Sequence, residues 1–304
     1  MAHLLQWHGM TAVLPYTPLN DYLRQRYGAK VRRIALTRHS GCPNRAAGRS
    51  GCVFCLPAAY EPAAPLQQGT VVEQLQRGIT RARTRYAGVK CIAYLQSGSN
   101  MHGDPAALRT LYEALLAPPE VAALSIATRP DCIDDDILGV VAALSRTRDI
   151  WVEVGVQTLH DRSLAWLQRG HDAACARTAL HRLRDAGITH VVAHLILGIP
   201  GETQADMRAS VQGCVQAGAQ GLKMHQLQVL RDTPLEAEWR AGRVPTLTLD
   251  AYAAAAATAL AGLPRDIVLH RLCADAPAQY LCAPLWPGGK AEHVAAILRA
   301  LQRS

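Results

Sequence analysis

The sequence predicts an α/β protein organised around a parallel sheet. Three observations predict it. After residue 30, short apolar runs alternate with longer helix-period stretches; this alternation occurs six times in series; and several of the helical stretches carry start or stop signals. Strands separated by helices pair in parallel through right-handed crossovers. Six such units suit either part of a barrel or a doubly wound open sheet, and both put a site at the C-terminal ends of the strands.

The first strand, over residues 33–36, delivers a cysteine-bearing loop, and a helix over 70–86 follows. A strand over 90–96 leads to a helix over 104–116, opened by Asp104 and Pro105 as cap and first turn. The third unit pairs a strand over 122–127 with a helix over 134–144 whose first turn is acidic. The strand over 151–156 is followed by helices over 161–167 and 173–186, the latter stopped by Gly187. A strand over 190–197 and a helix over 203–217, ended by Gly218, form the fifth unit. A strand over 221–230 and a helix over 249–262 complete the sixth.

The chain has 304 residues, 49% of them apolar, enough for one large core. No apolar run reaches the ~18 residues needed to span a bilayer, so no membrane association is expected. Nine cysteines without an export signal indicate a reducing cytoplasm. The net charge of +8 suits RNA or another polyanion as well as it suits an ordinary basic surface.

Three cysteines share the loop after the first strand: Cys42 in Gly41-Cys42-Pro43-Asn44-Arg45, and Cys52 and Cys55 in Gly51-Cys52-Val53-Phe54-Cys55. Two thiolates in C-x-x-C converge on one centre, and the glycines let the backbone wrap it. A [4Fe-4S] cluster is ordinarily held by four cysteines, so three leave one iron open to a ligand. A closed Cys3His zinc site through His39 is equally compatible with the spacing. A disulfide is the weaker alternative. Cys91, Cys132, Cys175 and Cys214 read as small buried hydrophobes.

Polar residues recur where the other strands end. They include Gln96 to Asn100, Thr128 to Asp131, Glu153 with Gln157, His194, and Lys223 with His225. A polar group inside a buried strand costs free energy unless it is paired, and Glu153 in Trp151-Val152-Glu153-Val154 is the clearest case. His194 and His225 also suit satisfied core positions. Gly198-Ile199-Pro200-Gly201-Glu202-Thr203 lacks the lysine and spacing of a P-loop.

Cys52-Val53-Phe54-Cys55 resembles the second half of the C-x3-C-x-Φ-C motif of radical S-adenosylmethionine (SAM) proteins, where Φ is aromatic. Nine residues separate Cys42 from Cys52 where that motif has three. Longer segments are similar to one subfamily: Tyr94-Leu95-Gln96, Thr128-Arg129-Pro130-Asp131-Cys132, Glu153 to Thr158, Arg169-Gly170-His171-Asp172, Gly198 to Thr203, Lys223-Met224-His225, His270-Arg271-Leu272 and Ala283-Pro284-Leu285-Trp286. That subfamily is the YhcC/YtqA group, relatives of the radical SAM part of the Elongator catalytic subunit. This chain departs from it in a shorter segment between Cys42 and Cys52, and in Gln96-Ser97-Gly98-Ser99-Asn100-Met101 where the family has Q-x-x-T-N-T.

The resemblance implies a partial (β/α)6 TIM-like barrel, with an N-terminal extension over 1–30, a core over 31–265 and an extension over 266–304 that caps the barrel. It implies a [4Fe-4S] cluster on Cys42, Cys52 and Cys55, SAM on the open iron, and a one-electron donor such as flavodoxin or ferredoxin. The cluster's electron cleaves SAM and starts radical chemistry. Phe54 would lie near the adenine. Asn100, Glu153, Gln157 and His194 are candidate SAM or substrate contacts, with Glu153 accepting from ribose hydroxyls or the amino group. Arg271 is a candidate for gripping a phosphate or carboxylate at the mouth. Cys273 is a candidate hydrogen-atom donor, with packing the alternative for it and for Cys282. Some members are linked to modification of the tRNA wobble uridine. A protein or small-metabolite substrate is the alternative, and a non-catalytic zinc-stabilised binding protein comes from another class.

Overall fold

The structure is a computed structural model that describes residues 4–7, 10–13, 16–39, 41–46, 51–61 and 64–303. Residues 47–50 of the segment between Cys42 and Cys52, and parts of the N-terminal extension, lie outside these.

The strands in chain order are β1 (Leu4–Trp7), β2 (Met10–Val13), β3 (Thr17–Pro18), β4 (Val31–Leu36), β5 (Lys90–Leu95), β6 (Val121–Thr128), β7 (Asp149–Gln157), β8 (His190–Leu197), β9 (Gly221–Gln226), β10 (Val229–Leu230), β11 (Val268–Arg271) and β12 (Leu281–Ala283). Eight form one sheet in the order β3-β11-β9-β8-β7-β6-β5-β4, with every pairing parallel. The sheet curls into a half-barrel, the partial TIM-like barrel expected, with the six predicted units as its body. β1 and β2 form an antiparallel hairpin, and β10 pairs antiparallel with β12.

Two strands exceed the sequence expectation. Val268–Arg271 belongs to the segment read as a cap, yet it joins the sheet beside β9, and the short β3 pairs with its other side. Neither has a pattern that sequence can read, because one has four residues and ends in His270-Arg271 and the other contains a proline. The predicted strand over 221–230 stops at Gln226 and resumes as β10. Gln226 and Gln228 turn their side-chain amides to the Ala274 carbonyl, at 2.9 and 3.3 Å, which draws the chain out of the sheet.

The helices start where their caps dictate. Thr70 and Glu73 form a capping box before Val71–Arg85, and Thr203 with Asp206 forms another before Gln204–Gln216. Asp104 Oδ2 accepts from the Ala107 N–H at 2.8 Å, and Asp134 Oδ1 from Ile137 at 2.9 Å. Their apolar faces cover the outside of the sheet, and side chains such as Leu75, Leu108, Tyr112, Val141, Leu180 and Val211 are buried there. Each large apolar side chain so buried contributes roughly 1.5–3 kcal/mol. The inside of the curl is different. It holds charged side chains at its floor and the cysteine loop at its rim. No helix among the described residues is long and apolar enough to cross a membrane.

Candidate active site

A cavity of about 430 Å3 lies inside the curl, running from the strand ends down to Glu153. Cys42, Cys52 and Cys55 share its wall with Phe54. The loop that carries them is tied to the body through main chain: Val53 N donates to Leu167 O at 3.1 Å, and Leu235 N to Val53 O at 3.0 Å. Asn44 Nδ2 donates to Gln168 O at 2.7 Å and lies 3.4 Å from Cys52 Sγ. Gly170 makes this close approach possible. Its φ of +70° suits glycine, and a Cβ there would stand 2.7 Å from Asn44 Oδ1.

Cys52 Sγ also receives Arg169 Nη1 at 3.1 Å, while Arg169 Nη2 donates to Gly155 O at 2.6 Å. Arg129 stands behind it, held bidentately by Asp131 at 2.9 and 2.8 Å and bonded to Arg169 O. Both arginines are 5% exposed. Cations beside sulfur stabilise the thiolate, the form that binds metal. Burial pushes the Cys55 thiol up, with the neighbouring Cys52 and Cys42 adding to the effect, so the sulfurs influence one another electrostatically. Sequence reasoning did not single out either arginine; the available signal was their place in Thr-Arg-Pro-Asp at the end of β6 and in Arg-Gly-His-Asp after the helix Asp161–Trp166.

The candidate ligand contacts separate into two groups. Gln157 lines the cavity with a left-handed backbone, φ 69°, and its buried Oε1 has no partner among the described residues. A strained residue with an orphaned acceptor suits ligand binding. Asn100 does not line the cavity. Its Nδ2 donates to the carbonyls of Leu95, Ser97 and Ala127 at 3.2, 2.9 and 3.1 Å, knotting the ends of β5 and β6. Cys273 is fully buried outside the cavity lining, its thiol pushed up to about 11 by burial. Cys282 Sγ lies 3.5 Å from Glu236 Oε1. Of the other cysteines, Cys91, Cys132 and Cys214 are buried as expected, whereas Cys175 is partly exposed on its helix.

Glu153 sits at the floor on a central strand, 2% exposed. Its carboxylate is already engaged. Oε2 accepts from Tyr94 OH at 2.8 Å and Lys223 Nζ at 2.7 Å; Oε1 accepts from Arg33 and, at 3.2 Å, from Ser125. Burial pushes this carboxyl up, but Arg33, Lys223 and His270 together outweigh it and hold it well below the usual carboxylate range. Burial lowers Lys223 to about 8, against the pull of Glu153. On the neighbouring wall Arg271 Nη2 donates to His194 Nε2 at 2.7 Å, and the His194 ring tilts against His225 at 4.9 Å. Burial, then Arg271, holds His194 well below the imidazole range, so it is neutral at pH 7.

The donor set fits a [4Fe-4S] cluster with SAM. Three thiols share one cavity wall, two nitrogen donors stand at Cys52 Sγ, and Gln157, with its unpartnered buried acceptor, lines the same cavity. Among the described residues, His39 included, no three His, Cys, Asp or Glu side chains are grouped to hold a single ion. The sulfurs of a cluster bind separate irons and so stand further apart than the ligands of one zinc.

Comparison with known proteins agrees. The family model described as the radical SAM superfamily matches residues 37–212, and that for the radical SAM C-terminal domain matches residues 219–303. The uncharacterized protein YtqA of Bacillus subtilis is 33% identical over 289 residues, 94% of this chain and 89% of that protein. A tRNA uridine(34) acetyltransferase of Dehalococcoides mccartyi is 30% identical over 165 residues, 53% of this chain and 35% of that protein. The fold is similar to that of Methanocaldococcus infernus Elp3 lacking residues 1–46, with a TM-score of 0.68 at 17% identity over 90% of this chain and 63% of that one. With its family models covering both barrel and C-terminal region, and its three cysteines at the cavity wall, this chain belongs to the radical SAM superfamily and is an enzyme of that class.

Proposed function

We propose that this enzyme cleaves SAM reductively with a [4Fe-4S] cluster and acts on a base in tRNA, the wobble uridine being the leading candidate. The observation that carries the first part is the cavity that Cys42, Cys52 and Cys55 line together with Gln157, whose buried Oε1 has no partner among the described residues. Those cysteines would hold the cluster, which supplies the electron for SAM cleavage and an open iron for the amino and carboxylate groups of SAM. Gln157 would accept a hydrogen bond from SAM. Arg169 and Arg129 offset negative charge on the sulfur side, and Phe54 offers an apolar face for the adenine. A flavodoxin or ferredoxin would deliver the electron.

The tRNA substrate is supported by the net charge of +8 and by the partial relation to a tRNA uridine(34) acetyltransferase. A small metabolite is the second reading, favoured by a cavity whose volume is that of a small-molecule site.

Two measurements test this. Anaerobically reconstituted protein should be brown, absorb broadly near 400 nm and release 5′-deoxyadenosine from SAM; a colourless protein retaining one zinc would overturn the cluster. Nucleosides of tRNA from cells with and without the gene should then differ at one modified uridine. Identical nucleosides beside active SAM cleavage would move the substrate to a metabolite or protein.

A further inference from the structure

The inner wall formed by β9 and β11 carries more positive charge than the protein balances. Lys223 and Arg271 come from that wall, Arg33 reaches in from β4, and one carboxylate, Glu153, pairs with Arg33 and Lys223; the histidines beside them are neutral because burial holds His194, His225 and His270 well below the imidazole range. Arg33 is committed to Glu153 and stacks over the Tyr94 ring at 4.1 Å. Lys223 donates two of its three ammonium protons, to Tyr94 OH and Glu153 Oε2, both at 2.7 Å. The third has no acceptor among the described residues, and the side chain lines the cavity. Arg271 lines it too, and forms no ion pair with any described carboxylate. Its partners are both neutral, His194 Nε2 at 2.7 Å and the Met224 carbonyl at 3.4 Å.

The other two carboxylates at the cavity form no ion pair with Lys223 or Arg271: Glu61 accepts from Ser97 Oγ at 3.0 Å, and Asp275 pairs with Lys290 at 3.0 Å. The cysteines have cations of their own, since Arg169 Nη1 donates to Cys52 Sγ at 3.1 Å and Arg129 stands behind it, bonded to Arg169 O. Excess charge in a dry site costs free energy unless an opposite charge joins it. A guanidinium fork beside an ammonium is the arrangement that grips a carboxylate or a phosphate.

We propose that Arg271 and Lys223 seat an oxyanion, a carboxylate or phosphate carried by the molecule on which the enzyme acts, separate from the seat of SAM. The proposal rests on the reading of this cavity as a SAM-dependent site, and it restricts the substrate to molecules bearing an anionic group at the depth of Glu153.

Arginine footprinting with phenylglyoxal, read by peptide mass mapping on the cluster-reconstituted protein saturated with SAM, tests it. The probes are inorganic phosphate and acetate, with chloride at equal ionic strength as the control. Phosphate, acetate or both should slow modification of Arg271 about tenfold or more, and whichever protects identifies the anion class. In Lys223→Met the half-protecting concentration should rise tenfold to a hundredfold, the loss of one charge-assisted hydrogen bond. The wild-type arms need no substitution to fold. Three results would overturn the seat: Arg271 unreactive without any anion, Arg271 reactive but protected by neither probe, or protection by SAM alone with phosphate and acetate displacing SAM. The last would assign these residues to the SAM carboxylate. 5′-Deoxyadenosine release on the same preparation separates the two readings, because protein that cleaves SAM but fails the footprint loses only the seat.

Discussion

Replacing Glu153 with Gln keeps the shape of the side chain and removes the only negative charge that the described residues place at the barrel floor. In the structure that charge holds Arg33 and Lys223, and accepts from Tyr94 and Ser125, at 2% exposure. Breaking a buried ion pair by deleting one partner costs about 3–5 kcal/mol, because the remaining charge stays buried without compensation. Native stabilities are roughly 5–15 kcal/mol, so the loss should be plain. Urea unfolding of the cluster-free chain, with a slope near 3 kcal/mol/M or above, should show the midpoint lowered by about 1 M. Glu153→Gln combined with Lys223→Met should be less destabilised than the two single losses added together, since the double change removes one of the stranded cations. The carboxyl is held well below its ordinary range, so its contribution is present above the unfolded carboxylate pKa and disappears as pH falls through the lower folded value. A Glu153→Gln protein within about 0.5 kcal/mol of wild type, the range of an ordinary surface change, would refute this reasoning. If it also bound SAM ten- to a hundredfold more weakly, Glu153 would be the SAM contact that the sequence suggested.

Three further outcomes are expected. Cys42→Ala, Cys52→Ala and Cys55→Ala should each lose iron on reconstitution while Cys175→Ala retains it, and full iron content in Cys52→Ala would remove that residue from the ligand set. Gly170→Ala places a Cβ 2.7 Å from Asn44 Oδ1 at a φ of +70°, so it should cost about 1–3 kcal/mol and slow cluster assembly, as followed by absorbance; wild-type assembly and stability would mean that the Asn44 anchor is dispensable. Protection of Arg271 by phosphate or acetate should weaken as pH rises through about 8, where Lys223 loses its charge. The groups facing Lys223 do not reproduce that dependence: Glu153 and the arginines keep their charge, burial holds the Tyr94 hydroxyl protonated far above this range, and His194, His225 and His270 are already neutral. Constant protection from pH 7 to 9.5 would take Lys223 out of the seat.

Much of the architecture was legible because its signals are local. The alternation of short apolar runs with capped helices marked the six β-α units, since a buried parallel strand must be apolar and a helix must satisfy its first N–H groups. The cysteine spacing and the single phenylalanine between two of them carried the chemistry, because ligand type and count decide what a loop can hold. The resemblance then resolved barrel against open sheet and cluster against zinc, which residue pattern alone left even.

What only the tertiary structure decided is which polar residues meet. Glu153, Arg33, Tyr94 and Lys223 come from four strands spread over 191 positions of sequence, yet their side chains share one network. Asn100 and Gln157 look alike as polar residues at strand ends, and each has a buried side-chain oxygen without a partner among the described residues, but Asn100 is tied through Nδ2 to three carbonyls away from the cavity whereas Gln157 lines it. Arg271 was placed at the mouth with a cap, and it lies in a strand that extends the sheet. Sequence records which groups a chain possesses; whether a buried charge is balanced depends on the distances among groups far apart in the chain, and those exist only once the sheet has curled.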